Sequence, residues 1–235
     1  MQAVILAGGV GSRLKPYTNL VPKPMVRVGN KPFMDYIIDS LVRNKVKKIL
    51  LCVGYKSYII KNHYMNGKDF GAEISYSKDK KSLGTGGALK QAENLIEDEF
   101  LLLYGDSFLP IHHQDLFDFR NTLKTSGVLT GYYRQCSDVK PNLSAKDNIV
   151  VKYDKENGSG CDFVEAGVSV WNKEILEYIP KNTKCSLESD IFPLLIRQKE
   201  LGVFITRQRF FDIGTPKRLE EAKQALGRNF IDGGE

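Results

Sequence analysis

Histidine and cysteine are scarce in this chain, three and four among 235 residues. Cys52, Cys136, Cys161 and Cys185 are widely spaced and form no CxxC pair. Neither a zinc site nor a disulfide framework is expected from them. His63, His112 and His113 are too few for most histidine-based metal centres, and the adjacent pair reads as loop or rim. Long apolar runs are missing as well. No segment offers the roughly 20 apolar residues that a bilayer demands. The run from Met1 to Leu6 is too short for a signal peptide, and a glycine turn follows it in place of a cleavage site. These absences predict a soluble, cytoplasmic chain. Lysine and arginine number 34 against 28 acidic residues, a formal charge of +6. That excess suits anionic ligands such as phosphates, although a lysine-rich solvated surface accounts for most of it. The basic runs at 45–48 and 78–81 have none of the interleaved aromatics of a nucleic-acid platform. Neither nucleic acid nor membrane is an expected partner.

What is present is an alternation of elements. Gln2–Leu6, Lys48–Val53, Glu73–Ser77 and Phe100–Tyr104 read as strands, the apolar ones as buried. Between them Phe33–Val42, Ser57–Tyr64 and Gly87–Ile96 read as helices, the first carrying Phe33, Ile37, Ile38 and Leu41 on one face. Such alternation predicts a doubly wound sheet. After Asp106 the pattern changes to longer strands at Val128–Tyr133, Ile149–Tyr153 and Phe163–Trp171. Short strands follow at Val203–Thr206 and Phe210–Ile213, with helices at Lys173–Tyr178, Glu188–Lys199 and Pro216–Leu226. The expectation is an α/β fold with a Rossmann-like mixed, mostly parallel sheet flanked by helices. A single domain spans 1–226, with a nucleotide half to about 110, a second-substrate half beyond it, and a frayed tail at 227–235. Trp171 reads as core.

The chemistry concentrates in Leu6-Ala7-Gly8-Gly9-Val10-Gly11-Ser12-Arg13-Leu14, followed by Pro22-Lys23-Pro24. Gly8, Gly9 and Gly11 directly follow a strand and let backbone N–H groups approach phosphate oxygens. Ser12 adds a hydroxyl donor, and Arg13 can form paired bonds to a polyphosphate. Lys23 is held between two prolines that each fix their own φ, which suits a cation that must meet a phosphate accurately. A Rossmann dehydrogenase would place a helix directly after GxGxxG and an acid about 20 residues on. Here proline-punctuated chain follows and the second strand ends at Val53-Gly54-Tyr55. The Walker GxxxxGK[ST] pattern is absent too. Asp106, after a buried strand, lies where open α/β sheets bind ligands, although an Asp there also caps turns. Asp212, between a short strand and a helix, carries the same two readings.

At this point the chain resembles the sugar-1-phosphate nucleotidyltransferases, whose signature is close to GGxGTRLxPLTxxxPKP. Ser12 and Tyr17 are mild departures from it. The resemblance continues through Leu83-Gly84-Thr85-Gly86-Gly87-Ala88, Gly105-Asp106, Glu165-Ala166-Gly167 and Phe211-Asp212-Ile213-Gly214-Thr215-Pro216. It implies magnesium-dependent transfer of a nucleotidyl group from an NTP to a sugar 1-phosphate. It assigns Mg²⁺ to Asp106 and Asp212, the phosphates to the glycine loop with Arg13 and Lys23, and the base and ribose to Gly84, Thr85, Gly86 and Gly87. Glu165 and Gly167 fall to the sugar. Lys155 resembles the lysine that holds the sugar phosphate. Its segment departs from the usual EEKP, so a solvated Lys155, or Lys152 in its place, remains open. Tyr132, Tyr133 and Arg134 are candidates for the sugar side. Within the family, the short chain and the segment Ser186-Leu187-Glu188-Ser189-Asp190 are most similar to bacterial heptose 1-phosphate guanylyltransferases, with mannose-1-phosphate guanylyltransferases close behind. That implies GTP as donor, with uridylyl, cytidylyl and thymidylyl transfer as alternatives. A glycosyltransferase consuming NDP-sugars, or a non-catalytic nucleotide-sugar-binding subunit, are the readings from other classes. Homo-oligomerisation is left open.

Overall fold

A computed structural model describes residues 1–79, 81–133, 139–155 and 157–227. The expected tail beyond 227, Arg134 and Cys136 lie outside the described residues. In chain order the elements begin with β1 (Gln2–Ala7), β2 (Arg27–Val28), β3 (Lys31–Pro32), α1 (Phe33–Arg43), β4 (Lys48–Val53) and α2 (Ser57–Tyr64). Then come β5 (Glu73–Lys78), α3 (Gly84–Gln91), β6 (Glu99–Tyr104), β7 (Ser107–Phe108), α4 (His113–Leu123) and β8 (Gly127–Tyr133). The remainder is β9 (Leu143–Lys146), β10 (Ile149–Tyr153), β11 (Phe163–Asn172), α5 (Phe192–Gln198), β12 (Leu201–Thr206), β13 (Phe211–Asp212) and α6 (Pro216–Leu226).

Among the described residues nine strands form one sheet in the order β5-β4-β1-β6-β11-β8-β12-β10-β9. Pairing is parallel from β5 through β6 and again between β8 and β12. It is antiparallel at β6–β11, β11–β8, β12–β10 and β10–β9. The sheet is therefore mixed, with three of these four parallel pairings in its first half. Successive side chains of a strand face opposite sides. Ala3 and Ile5 of β1 accordingly join Phe33, Ile37 and Leu41 of α1 and Leu219 of α6 on one face. Val4 joins Leu89 of α3, Leu195 of α5 and Trp171 on the other. Trp171 is fully buried, stacks on Phe192 at 5.7 Å between ring centroids and donates to Ser169 Oγ at 2.7 Å.

Several elements differ from the sequence reading. The expected rim at His112–His113 is the start of α4. His112 is exposed, but His113 is buried on one face with Leu116, Phe117 and Arg120, a 3-4-7 spacing that marks a helix. Lys173–Tyr178 is a 3₁₀ segment, and the helix expected from Glu188 opens as a π turn at Leu187–Ile191 before α5. The helix expected from Gly87 starts three residues earlier, at Gly84, and ends at Gln91.

Candidate functional site

The carboxyl ends of β1 and β6 lie side by side, with Leu6 opposite Tyr104 and Gly105 N–H donating to the Leu6 carbonyl at 2.9 Å. The loop after each strand opens into a cleft of about 440 Å³, a size suited to a small-molecule ligand. Leu6, Ala7, Gly8, Gly9, Gly11, Ser12, Arg13, Lys23, Gly84, Thr85 and Asp106 all line it. Gly11 has φ +68°, and a Cβ there would lie 2.9 Å from Lys23 Cβ. This absence of a side chain lets the glycine loop close onto the Pro-Lys-Pro turn, so two motifs that are separate in sequence form one wall. Arg13 is exposed and has no polar partner among the described residues. Lys23 is buried, and its Nζ is ion-paired to Asp106 Oδ2.

Asp212 comes beside the loop after β6 from the other end of the chain, but it lines a neighbouring cavity with Arg209, Thr215 and Arg218, while Gly214 lines the cleft. β13 pairs antiparallel with β7, setting Asp212 opposite Ser107, and Ile213 N–H donates to the Asp106 carbonyl at 3.1 Å. Asp212 Oδ1 accepts from Gly214 N–H at 2.8 Å and from Arg218 Nη1 at 3.1 Å. Each aspartate thus has one committed oxygen and one without a hydrogen-bond partner among the described residues. Carboxylate oxygens of this kind are hard ligands that suit a divalent cation such as Mg²⁺. Among the described residues no three His, Cys, Asp or Glu side chains cluster into a closed metal cage.

The glycines at 84–87 divide into two groups. Gly84 and Thr85 line the cleft, whereas Gly86 and Gly87 do not. Gly86 and Gly87 donate their N–H groups to the Cys185 carbonyl at 2.9 and 3.2 Å, and a Cβ on Gly86 would lie 2.9 Å from Cys185 Sγ. These two are buried against the 183–187 segment, where close backbone packing excludes a side chain. The Thr85 hydroxyl is also engaged within the protein: it donates to Glu188 Oε2 at 2.8 Å and accepts from Leu187 N–H at 2.9 Å.

Glu165 sits on β11 where its register with β8 shifts, an irregularity that re-aims side chains. Its Oε1 accepts from Gly167 N–H at 2.8 Å. Burial pushes the Glu165 carboxyl up to about 7, helped by the charges of Glu188 and Asp106 and opposed by the Gly167 bond and Lys155. Gly167 has φ +81°, and a Cβ there would come 2.5 Å from Ser107 Cβ, so β11 passes directly over the residue that follows Asp106. Lys155 Nζ lies 3.4 Å from Glu188 Oε1, on a side chain 62% exposed. Lys152 instead donates to the Ser159 carbonyl at 2.6 Å.

Three contributors carried no role in the sequence reading. Tyr104 lines the cleft and donates to Glu188 Oε1 at 2.8 Å. Glu188 is buried beneath it. Asp79 folds the cleft edge by accepting from Lys81 and Leu83 N–H groups at 2.8 and 2.7 Å. Only Asp79 carried a local signal, since an Asp that accepts from N–H groups two residues on is ordinary turn chemistry.

Comparison with known proteins gives consistent matches. The family model described as nucleotidyl transferase matches residues 2–229. The D-glycero-alpha-D-manno-heptose 1-phosphate guanylyltransferase of Aneurinibacillus thermoaerophilus is 30% identical over 96% of this chain and 98% of its own length. The mannose-1-phosphate guanyltransferase of Kluyveromyces lactis is 31% identical over 98% of this chain and 70% of its own. The crystal structure of HddC from Yersinia pseudotuberculosis complexed with GMP-PN superposes with a TM-score of 0.81 at 27% identity, covering 96% of this chain and 99% of that one.

Proposed function

Because this chain belongs to the nucleotidyl transferase family, we propose that it transfers a nucleoside monophosphate from an NTP, with GTP favoured, to a heptose or mannose 1-phosphate. The products are an NDP-sugar and pyrophosphate. The observation that carries this reading is the pairing of Lys23 with Asp106 inside a cleft walled by the Gly8–Arg13 loop. The preference for guanine and for a manno-configured sugar draws support from relatives named as guanylyltransferases and from the GMP-PN complex of HddC.

The reaction joins a phosphate oxygen of the sugar phosphate to the NTP α-phosphorus and breaks the bond from that phosphorus to the bridging oxygen of pyrophosphate. The attacking oxygen is already ionised, so no protein nucleophile is required. The protein's part is positioning and charge compensation. The glycine loop, Ser12 and Arg13 hold the β- and γ-phosphates and steady the leaving pyrophosphate. Lys23, fixed by its prolines, offsets charge at the α-phosphate. Asp106 and Asp212 would hold Mg²⁺, which when bound polarises the α-phosphate. Glu165, Gly167 and Lys155 orient the sugar phosphate. Lys155 is favoured over Lys152 because its Nζ already lies by Glu188 next to the cleft. Partners are therefore the NTP and sugar 1-phosphate. The 1–226 span acts as one domain in this reading, since strands from both of its halves build the sheet. No helix among the described residues is long and apolar enough to cross a membrane.

A grid of four NTPs against a panel of sugar 1-phosphates, read by pyrophosphate release, tests the reading. GTP with a manno-configured acceptor is expected to give the highest kcat/KM. A pyrimidine nucleotide preferred tenfold, about 1.4 kcal/mol, would overturn guanylyl transfer alone. No pyrophosphate from any pair would overturn the whole reading.

A further inference from the structure

Glu188 is the most heavily engaged side chain of the site, and the mechanism above gives it no task. It is buried, with a side chain only 4% exposed. Its Oε2 accepts from Thr85 Oγ1 at 2.8 Å and Ser186 Oγ at 2.6 Å. Its Oε1 accepts from the Tyr104 hydroxyl at 2.8 Å and faces Lys155 Nζ at 3.4 Å. An ionised carboxylate offers about four acceptor positions; here three take hydroxyl hydrogen bonds and the fourth faces the Lys155 ammonium. Glu188 therefore has none left for a substrate hydroxyl, which separates it from Glu165 nearby. Burial, the largest influence, works against its ionised form. The Lys155 charge and the bonds from Ser186 and Thr85 outweigh it and hold the carboxyl below its ordinary range. Glu188 thus stays an acceptor at neutral pH.

What its partners touch is informative. Thr85 and Tyr104 line the cleft on its nucleotide side. Lys155 comes from the other half of the chain and projects into solvent from its anchor on Oε1. A carboxylate is costly to bury unless it is fully paired, and an apolar side chain would fill the same space without that cost. The charge is explained if its partners must be held in one arrangement.

We propose that Glu188 is a positioning residue for both substrates, one oxygen fixing the donor loop through Thr85 and the other holding Lys155 where the acceptor phosphate arrives. This rests on the nucleotidyl transfer reading. When the acceptor binds, its phosphate meets a lysine that is already tethered rather than one free to sample solvent. The Thr85 bond, together with the Leu187 and Cys185 backbone bonds to the same turn, keeps Gly84 and Thr85 at the cleft edge.

The test is steady-state kinetics on Glu188→Gln, Lys155→Met, their double variant and Thr85→Val, each with a melting curve. Glu188→Gln is expected to raise KM for both substrates about tenfold. Lys155→Met should raise only the sugar 1-phosphate KM, and Thr85→Val, which keeps its shape and loses the hydroxyl, only the NTP KM. The double variant should bind sugar 1-phosphate no worse than Lys155→Met, because a tether without its lysine has no further effect. A purely structural Glu188 would lower Tm and the active fraction while leaving both KM values at wild type, and that result overturns the proposal. So does full additivity of Glu188→Gln and Lys155→Met. Should Glu188→Gln not fold, Thr85→Val with a wild-type NTP KM overturns the donor arm. A wild-type chain that releases no pyrophosphate would instead remove the reading beneath the proposal.

Discussion

Replacing Glu165 with Gln fixes at that position the uncharged form that burial already favours. The wild-type carboxyl is raised to about 7, chiefly by burial and also by the nearby charges of Glu188 and Asp106. Around such a value the ionised fraction climbs from about one-tenth at pH 6 to about nine-tenths at pH 8. If the ionised carboxylate accepts a sugar hydroxyl, kcat/KM for sugar 1-phosphate should rise about tenfold across that window. The variant should stay near the low-pH level throughout. The substrate's own phosphate titrates near pH 6, so the quantity to follow is the ratio of wild type to variant at each pH, with NTP held saturating. The same shift has a stability consequence. The folded chain retains a proton here that the unfolded chain releases near the usual 4.5. The contribution of Glu165 to stability is thus complete below about 4.5, declines up to about 7 and is constant above. Tm of the variant relative to wild type should therefore increase across that window. A wild-type to variant ratio of kcat/KM that stays constant from pH 6 to 8 would refute the role of the ionised form.

Asp106→Asn and Asp212→Asn should each lower turnover at least about 100-fold, and near-normal turnover of both at limiting Mg²⁺ would remove the metal assignment. Lys23→Ala should slow the single-turnover rate while NTP binding, followed by calorimetry, is partly kept; Arg13→Ala should do the reverse. Arg218→Met frees Asp212 Oδ1 from its ion pair and should weaken Mn²⁺ binding, read by electron paramagnetic resonance, about tenfold, as loss of an orienting partner does at other metal sites. An unchanged Mn²⁺ affinity would show that Gly214 alone orients the carboxylate.

The parts of this molecule that were readable in sequence are those written in adjacent residues. β1, β4 and β6 are buried on both faces and so appear as unbroken apolar runs. The phosphate loop and Pro-Lys-Pro were readable for the same reason, each being contiguous. Glu188 was not, because its partners Tyr104 and Thr85 lie 84 and 103 residues away and nothing in Ser-Leu-Glu-Ser-Asp marks the Glu as buried. Gly86 and Gly87 show the opposite difficulty. Two adjacent glycines have the same spelling whether they make room for a base or for Cys185, and only the packing distinguishes them. The start of α4 was obscured by the two histidines, whose polarity hid a spacing that His113 shares with Leu116, Phe117 and Arg120.

The two-stranded ladder of β7 and β13 sets a parity constraint on the chain. Side chains along a strand alternate faces, so a slip of one residue turns every one of them over. Asp212 comes to the loop of Asp106 because Phe211 pairs with Phe108 and Asp212 with Ser107, so that Ile213 N–H reaches the Asp106 carbonyl. An insertion of one residue between Phe211 and Ile213 would keep all the acidic groups of the site yet turn Asp212 to the opposite face of the ladder. The turn at 207–209, which precedes the ladder, can change length by any number of residues without that inversion. A loop of different size there would leave the facing of Asp212 unchanged, while a one-residue change inside the ladder would not.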